Sequence, residues 1–243
     1  MLILGCCGWT EARAQYFRDF SAVELQQSFY EMPSASLAAK WRAEAPEGFA
    51  FSMKAWQLIT HPASSPTYRR LKRPILPAHA LRYGGFQPTG EVWNAWQQTA
   101  EVARTLRAAA VVFQCPAGFQ PGEKNVANLA AFFERAGAQE WHAAWEPRGA
   151  WPAETVKALC ERLGLIHCVD PFAGEPASGR AVYFRLHGKE GHDYKFSAAE
   201  LKWLRDICRR KLDQGCAPVY VMFNNTHMRE DALRFRDIWQ QGG

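Results

Sequence analysis

Long apolar runs are missing from this chain. Nowhere do ~18 apolar residues follow one another, so the sequence offers no transmembrane helix. The start, Met1 to Trp9, lacks a basic leader and reads as a first strand, not a signal peptide. A CxxC pair is missing too. The seven cysteines, Cys6, Cys7, Cys115, Cys160, Cys168, Cys208 and Cys216, are odd in number, and several lie in apolar patterns. That argues against a disulfide framework or a structural zinc site, and for reduced thiols in a cytoplasmic setting. There is no GxGxxG after the first strand, no GxSxG, no HExxH and no DxDxD. A dinucleotide fingerprint, a serine nucleophile elbow and the commoner metal motifs are therefore all absent. Acidic residues are missing from one long stretch: none occurs between Glu47 and Glu91, while Lys54, Arg69, Arg70, Lys72, Arg73 and Arg82 do. With a net charge of +5 and a pI near 8.9, this segment alone carries more than the whole excess. It reads as a solvated basic loop or as a rim that attracts anions.

What is present is ordinary globular composition, 48% hydrophobic and 22% charged over 243 residues. Short apolar strands are expected near 2–6, 22–26, 49–54, 110–114, 141–146, 166–169, 181–187 and 218–223. They alternate with amphipathic helices near 34–45, 90–108, 124–136, 152–163, 197–213 and 228–240. This alternation argues a parallel α/β fold. Ser197 followed by Glu200 gives one helix a capping-box start. Eight strands in a length close to the ~250 residues typical of the fold favour a single (β/α)8 TIM-type barrel over 1–243. An open doubly wound sheet, the main alternative, would want a glycine-rich phosphate turn where Gly5-Cys-Cys-Gly8-Trp9 stands. The long irregular stretch at 60–89 follows the third strand, which places it on the C-terminal face of the barrel.

Side chains alternate along a strand, so apolar residues turned toward the helices leave their neighbours inside. Val23 and Leu25 outward put Glu24 and Gln26 inward. By the same parity Ser52, Lys54, Gln114, Glu146, Asp170, Arg185, His187, Tyr220, Met222 and Asn224 face the interior. Ionisable groups are costly to bury unless paired. Lys54, Glu146, Asp170, Arg185 and His187 together, mostly at strand C-terminal ends, point to an active site, because catalytic groups of this fold gather there. Glu146, Asp170 and His187 are the candidate acids and bases. Arg148 and Arg185 offer planar forks for carboxylate or phosphate. Lys54 suits an anion, or a Schiff base if desolvated. Gln26, Gln114, Asn224 and Asn225 supply neutral donors and acceptors, and His61 is placed at the rim. A single divalent ion on Glu146, Asp170 and His187 is possible but not favoured; the cofactor is otherwise unknown.

The same residues carry a resemblance along nearly the whole chain. Gly5-Cys-Cys-Gly-Trp9, Glu24…Phe29-Tyr30, Phe49-Ala-Phe-Ser-Met-Lys54 and Ile59-Thr-His61 recur in order with Phe113-Gln114-Cys-Pro116 and Glu146-Pro-Arg148. Val169-Asp170, Tyr183-Phe-Arg185-Leu-His187-Gly188 and Phe223-Asn224-Asn225 complete the set. In these the chain resembles the YecE-like family, catalogued as domain of unknown function 72. The resemblance implies a TIM-barrel-like fold and adds Trp9 and Tyr30 to the candidate binding residues; it implies no reaction. Gln26 stands where the family tends to show Asn, Cys6 and Cys7 where it shows small residues, and 60–89 matches poorly.

The leading expectation is an enzyme, a hydrolase, lyase or isomerase, acting on a small anionic ligand that is phosphorylated or sugar-like. A nucleic-acid-binding or nucleic-acid-processing protein using the basic 54–82 segment is the alternative, with Trp56, Tyr68, Tyr83 and Phe86 available for stacking. A noncatalytic ligand-binding protein would use the same pocket. No membrane partner is expected, and the oligomeric state is open.

Overall fold

Each stretch expected to be a strand is one, with bounds within about one residue. In a computed structural model describing residues 1–177 and 179–241, the strands are β1 (Leu2–Cys6), β2 (Ala22–Leu25), β3 (Ala50–Lys54), β4 (Ala110–Gln114), β5 (His142–Glu146), β6 (Ile166–Val169), β7 (Val182–Leu186) and β8 (Val219–Phe223). All pair parallel in chain order, and β8 returns to β1 with Ile3 opposite Tyr220, closing the barrel. Around it run α1 (Arg13–Asp19), α2 (Gln27–Tyr30), α3 (Ala35–Glu44), α4 (Gln57–Thr60), α5 (Gly90–Leu106), α6 (Glu123–Ala136), α7 (Ala153–Leu163), α8 (Ala198–Asp213) and α9 (Met228–Gln240). The three short helices α1, α2 and α4 were not legible, since one or two turns carry too little periodicity to see. The capping box of α8 forms: Ser197 Oγ accepts from the Glu200 N–H at 3.2 Å, and Glu200 accepts from the Ser197 N–H at 2.8 Å. Among the described residues no helix is long and apolar enough to cross a membrane.

The barrel wall separates two apolar populations, as strand parity requires. Val23, Leu25, Phe51, Met53, Phe113, Trp145, Phe184, Leu186, Val221 and Phe223 pack outward against the helices. Ile3, Ala22, Ala110, Val112, Ala144, Ile166, Cys168, Tyr183, Tyr220 and Met222 fill the inside. The inner set is mostly small low in the barrel, which leaves room for two stacked tyrosines, Tyr183 and Tyr220, with ring centroids 5.0 Å apart. Gly5 is needed where β1 meets β2, because a Cβ there would lie 2.0 Å from the Ala22 carbonyl oxygen. The lower barrel is thus a packed plug, and the inward Lys54, Glu146 and Arg185 stand above it.

The stretch at 60–89 is not featureless. It makes two 3-10 turns, Pro66–Arg70 and Pro77–Arg82, and then returns to where it began. The Gly84, Gly85 and Phe86 N–H groups donate to the carbonyls of Leu58, Thr60 and Ile59. Gly84 must be glycine, with φ of +78° and its Cβ position 2.1 Å from the His61 oxygen. Phe86, 1% exposed, is seated among Phe113, Phe119, Phe132 and Phe133. Burying that ring contributes about 1.5–3 kcal/mol and fixes the base of the loop. Phe86 is therefore not available to stack on a nucleobase, and the Tyr68 hydroxyl is turned inward to donate to the His61 carbonyl at 2.8 Å.

Candidate active site

Arg185 on β7 organises the top of the barrel. Its side chain is 2% exposed, yet every face of the guanidinium has a partner. Nε donates to both Glu24 oxygens at 3.0 and 3.2 Å. Nη1 donates to Glu146 Oε2 at 3.0 Å, and to Gln114 Oε1 and His187 Nε2 at 3.2 Å each. Nη2 donates to Gln26 Oε1 at 3.2 Å. Glu24, fully buried, also accepts from the Tyr183 hydroxyl at 2.8 Å and from the Gln26 amide. The carboxylates hold Arg185 firmly protonated against the cost of its burial. Burial alone would raise the Glu146 carboxyl, but Arg185, Arg148 and His187 outweigh it and hold the group down to about 2.

Lys54, at the end of β3, has no such partner. Its ammonium donates to Gln114 Oε1 at 2.7 Å, the same oxygen that Arg185 uses, and sits 3.8 Å above the centroid of the Phe29 ring. Among the described residues no carboxylate lies within 4.0 Å of it. Burial, with Arg185 beside it, lowers this amine from the ordinary lysine range to about 7. His61 packs in a T-shaped contact with the Phe29 ring, at 4.8 Å, and burial together with Lys54 lowers its imidazole to about 4.

His187, just past β7, receives N–H donors from Arg148 at 2.5 Å and Arg185 at 3.2 Å, both on Nε2. Two donors on one nitrogen require that nitrogen to be the acceptor, so the ring proton sits on Nδ1, facing Asp170 Oδ2 at 3.7 Å. Asp170 itself accepts from two main-chain groups, the N–H of Phe172 at 3.0 Å and that of His187 at 2.8 Å. It clasps the ends of β6 and β7 together, positioning His187 without lining the cavity. Glu146 and Asp170 flank the imidazole on opposite nitrogens. Among the described residues no three His, Cys, Asp or Glu side chains are arranged to hold an ion, so the possible divalent site on Glu146, Asp170 and His187 does not fit this arrangement.

Above these groups opens a cavity of about 520 Å³. Trp9, Gln26, Tyr30, Lys54, His61, Gln114, Arg148, Arg185 and Asn224 all line it. Glu146 lies behind Arg148 and Arg185. Asn225 is a correction. Its amide faces the other way, donating to the Tyr194 carbonyl and to Asp231 Oδ2, each at 2.7 Å, and so ties α9 to the loop before α8. Parity carried one residue further would have shown it, since Asn224 inward puts its neighbour out.

Phe29, Gln27, Arg70, Thr67 and His192 also line the cavity and were not foreseen. Phe29 and Gln27 belong to the one-turn helix α2, and Arg70 is held by stacking 3.5 Å over the Tyr30 ring. The absence of acidic residues from 48–90 was the one signal for Arg70. A larger cavity, about 1060 Å³, lies at the opposite end of the barrel beside Met1, Ser21, His142 and Tyr220. Lys54, Glu146, Asp170, Arg185 and His187 do not line it, and in this fold chemistry is done at the C-terminal face.

The family model for the protein of unknown function DUF72 matches residues 3–241. The chain belongs to the DUF72 family. Among curated relatives, the UPF0759 protein YunF of Bacillus subtilis (strain 168) is 27% identical, over 93% of this chain and 89% of that protein. Among solved structures, a DUF72 family protein from Enterococcus faecalis V583 superposes with a TM-score of 0.77 at 21% identity, covering 99% of this chain and 98% of the other. One from Thermotoga maritima MSB8 gives 0.70 at 20% identity, with 99% of both chains covered. At such identities the structural likeness speaks to the fold alone, and here the shared fold is the DUF72 barrel.

Proposed function

We propose that this DUF72 barrel is an enzyme acting on a small anionic molecule, phosphorylated or carboxylated and sugar-like in size. One observation carries the reading: Lys54, Arg70, Arg148 and Arg185 line the 520 Å³ cavity, and among the described residues no carboxylate does. Beneath it, Glu24 and Glu146 balance Arg148 and Arg185, two against two. The Lys54 ammonium and the Arg70 guanidinium are then the unmatched charges, and an anion is what matches them. Trp9, Tyr30 and Phe29 supply apolar walls, and Gln26, Gln114 and Asn224 supply neutral hydrogen-bonding groups, a lining suited to a hydroxylated carbon chain.

Arg148 is the group placed to move. Its side chain is 38% exposed and it bonds Glu146 and His187 at once. An arriving anion that draws Arg148 toward it leaves His187 Nε2 with a single donor, Arg185 at 3.2 Å, so that this nitrogen can accept a proton while Asp170 holds the ring in place. Glu146, held anionic by its arginines, acts as an electrostatic floor, not as an acid. All seven cysteines are free and buried, in keeping with a reducing, cytoplasmic setting.

The test is calorimetric titration with ribose 5-phosphate and, separately, with uncharged ribose at low salt. Saturable binding of the phosphate ester, weakened at least about tenfold in Arg148→Ala, supports the reading. Equal affinity for ribose, or no change in the variant, would end it. Binding that survives while Glu146→Gln and His187→Ala leave every detected turnover unchanged would make the protein a noncatalytic binder instead.

Arg69, Arg70, Lys72 and Arg73 are exposed beside the cavity mouth and keep a nucleic-acid reading in view. Arg82, by contrast, is paired with Glu91 at 3.0 Å. Retention on single-stranded DNA that falls steeply between low and moderate salt would favour that reading.

A further inference from the structure

The Lys54 side of the cavity is built unlike an anion clamp. A clamp keeps its cation charged with a nearby carboxylate or with water. Lys54 has an aromatic ring under it, a single neutral acceptor, and a permanently charged guanidinium sharing that acceptor. The residue is 5% exposed, and its amine nonetheless faces the open cavity. Desolvation by an apolar neighbour and proximity to another cation are two ways by which a lysine amine is made nucleophilic. Both operate here, and they act on the one lysine among the described residues that line the cavity.

We propose that Lys54 is the site's nucleophile, and that it condenses through Nζ with the aldehyde or ketone carbon of a small anionic carbonyl compound to form an imine. This deepens, and rests on, the reading of the cavity as an anion site. In the reaction the neutral amine's lone pair forms a C–N bond as the carbonyl π pair moves to oxygen. One N–H proton passes to that oxygen, giving a carbinolamine. The hydroxyl then departs with the remaining N–H proton as water, leaving a C=N bond. Carbonyl compound plus amine become imine plus water, with no oxidant, reductant or metal. Gln114 holds one N–H and so orients the lone pair, Phe29 keeps water from one side, and Arg148 and Arg70 take the anionic end.

The charged or titratable groups that act on this amine are Arg185 from β7, Glu146 from β5, Glu24 from β2, Cys7 after β1 and His61 after α4. Burial, with Arg185, outweighs Glu146, Glu24 and Cys7 and lowers the amine to about 7. At neutral pH it then holds on the order of a thousand-fold more free base than an ordinary surface lysine. Cys7 lies deeper, and burial followed by Glu24 pushes its thiol well up, so it does not compete as a nucleophile.

The experiment is reductive trapping on the whole protein. Dihydroxyacetone phosphate and pyruvate are incubated separately with it, sodium borohydride is added, and the adduct is weighed intact and located by peptide mapping. The expected result is one adduct, on Lys54, with a trapped fraction several-fold higher at pH 8 than at pH 6. Inorganic phosphate should protect against it, and Lys54→Arg, which keeps the charge, should abolish it. Trapping of the phosphate ester alone or of the carboxylate alone also supports the proposal and names the anion. An adduct spread over surface lysines, or none with either probe, overturns it. The map of the native protein decides this even if the variant misfolds. If ribose 5-phosphate binds saturably while neither carbonyl compound is trapped, the imine falls and the anion site stands. If trapping occurs at Lys54 without phosphate protection, the anion reading falls instead.

Discussion

The two sides of the cavity floor differ in how they treat buried charge. Around Arg185, each charge meets an opposite charge or a hydrogen-bonding partner: Glu24 and Glu146 bracket the guanidinium, Gln26 and Gln114 complete its shell, and Tyr183 donates to Glu24. Around Lys54, an equally buried cation is left with an amide oxygen and the face of a phenyl ring. The first arrangement is self-sufficient and holds four strands of the barrel in register. The second is incomplete as it stands and gains from an arriving anion or from losing its proton. Compensation is what structure asks of a buried ion, and its absence is what chemistry can use.

The sharpest way to break this comparison is Arg185→Met. It strands Glu24 and Glu146 without their cation and should cost about 3–5 kcal/mol in urea unfolding. A loss below about 1 kcal/mol would show that the paired side is not structural. Next is acid. Glu146 is held near 2 in the folded protein, below its ordinary value. The stability it contributes is present above the unfolded value of about 4.3 and is lost as pH falls toward 2, amounting to on the order of 3 kcal/mol. Unfolding free energies followed from pH 6 downward should therefore fall more steeply in the native protein than in Glu146→Gln.

Lys54 titrates with the same sign from another cause. Its folded value, about 7, lies below the ordinary value of about 10.4, so between them the unfolded chain binds more protons. Stability then rises with pH from 7 to 10. Lys54→Met should flatten that rise and leave stability at pH 7 unchanged or higher, while weakening phosphate-ester binding by about tenfold. A large destabilisation by this variant would put Lys54 on the structural side. The smallest effect is expected at the rim. Arg70→Ala removes the stacking on Tyr30, changes stability by less than about 1 kcal/mol, and weakens phosphate-ester binding only a few-fold.

Much of the candidate site is legible in the sequence, and the reason is geometric. Period-2 alternation in β2, β3, β4, β5, β7 and β8 leaves one assignment of inside and outside that keeps Phe51, Trp145 and Phe184 among the helices. Glu24, Lys54, Gln114, Glu146 and Arg185 follow from it. Where parity was not carried through, as at Asn225, the placement was missed. Parity is silent about loops. Phe29, Arg70 and His192 reach the cavity from a single helical turn, a 3-10 turn and a strand-to-helix connection, none of which has a period to read.

By itself the sequence determined the barrel, the strand order and the identity of the inward charges, because hydrophobic alternation and connection length are local properties of the chain. Which of those charges neutralise one another is not local. Arg185 meets Glu24 across 161 residues and Glu146 across 39. Lys54 is left out of that arrangement because it rises beside Phe29 instead of beside a carboxylate. Only closure of the barrel, which sets distances across its mouth, separated the lysine from the arginine.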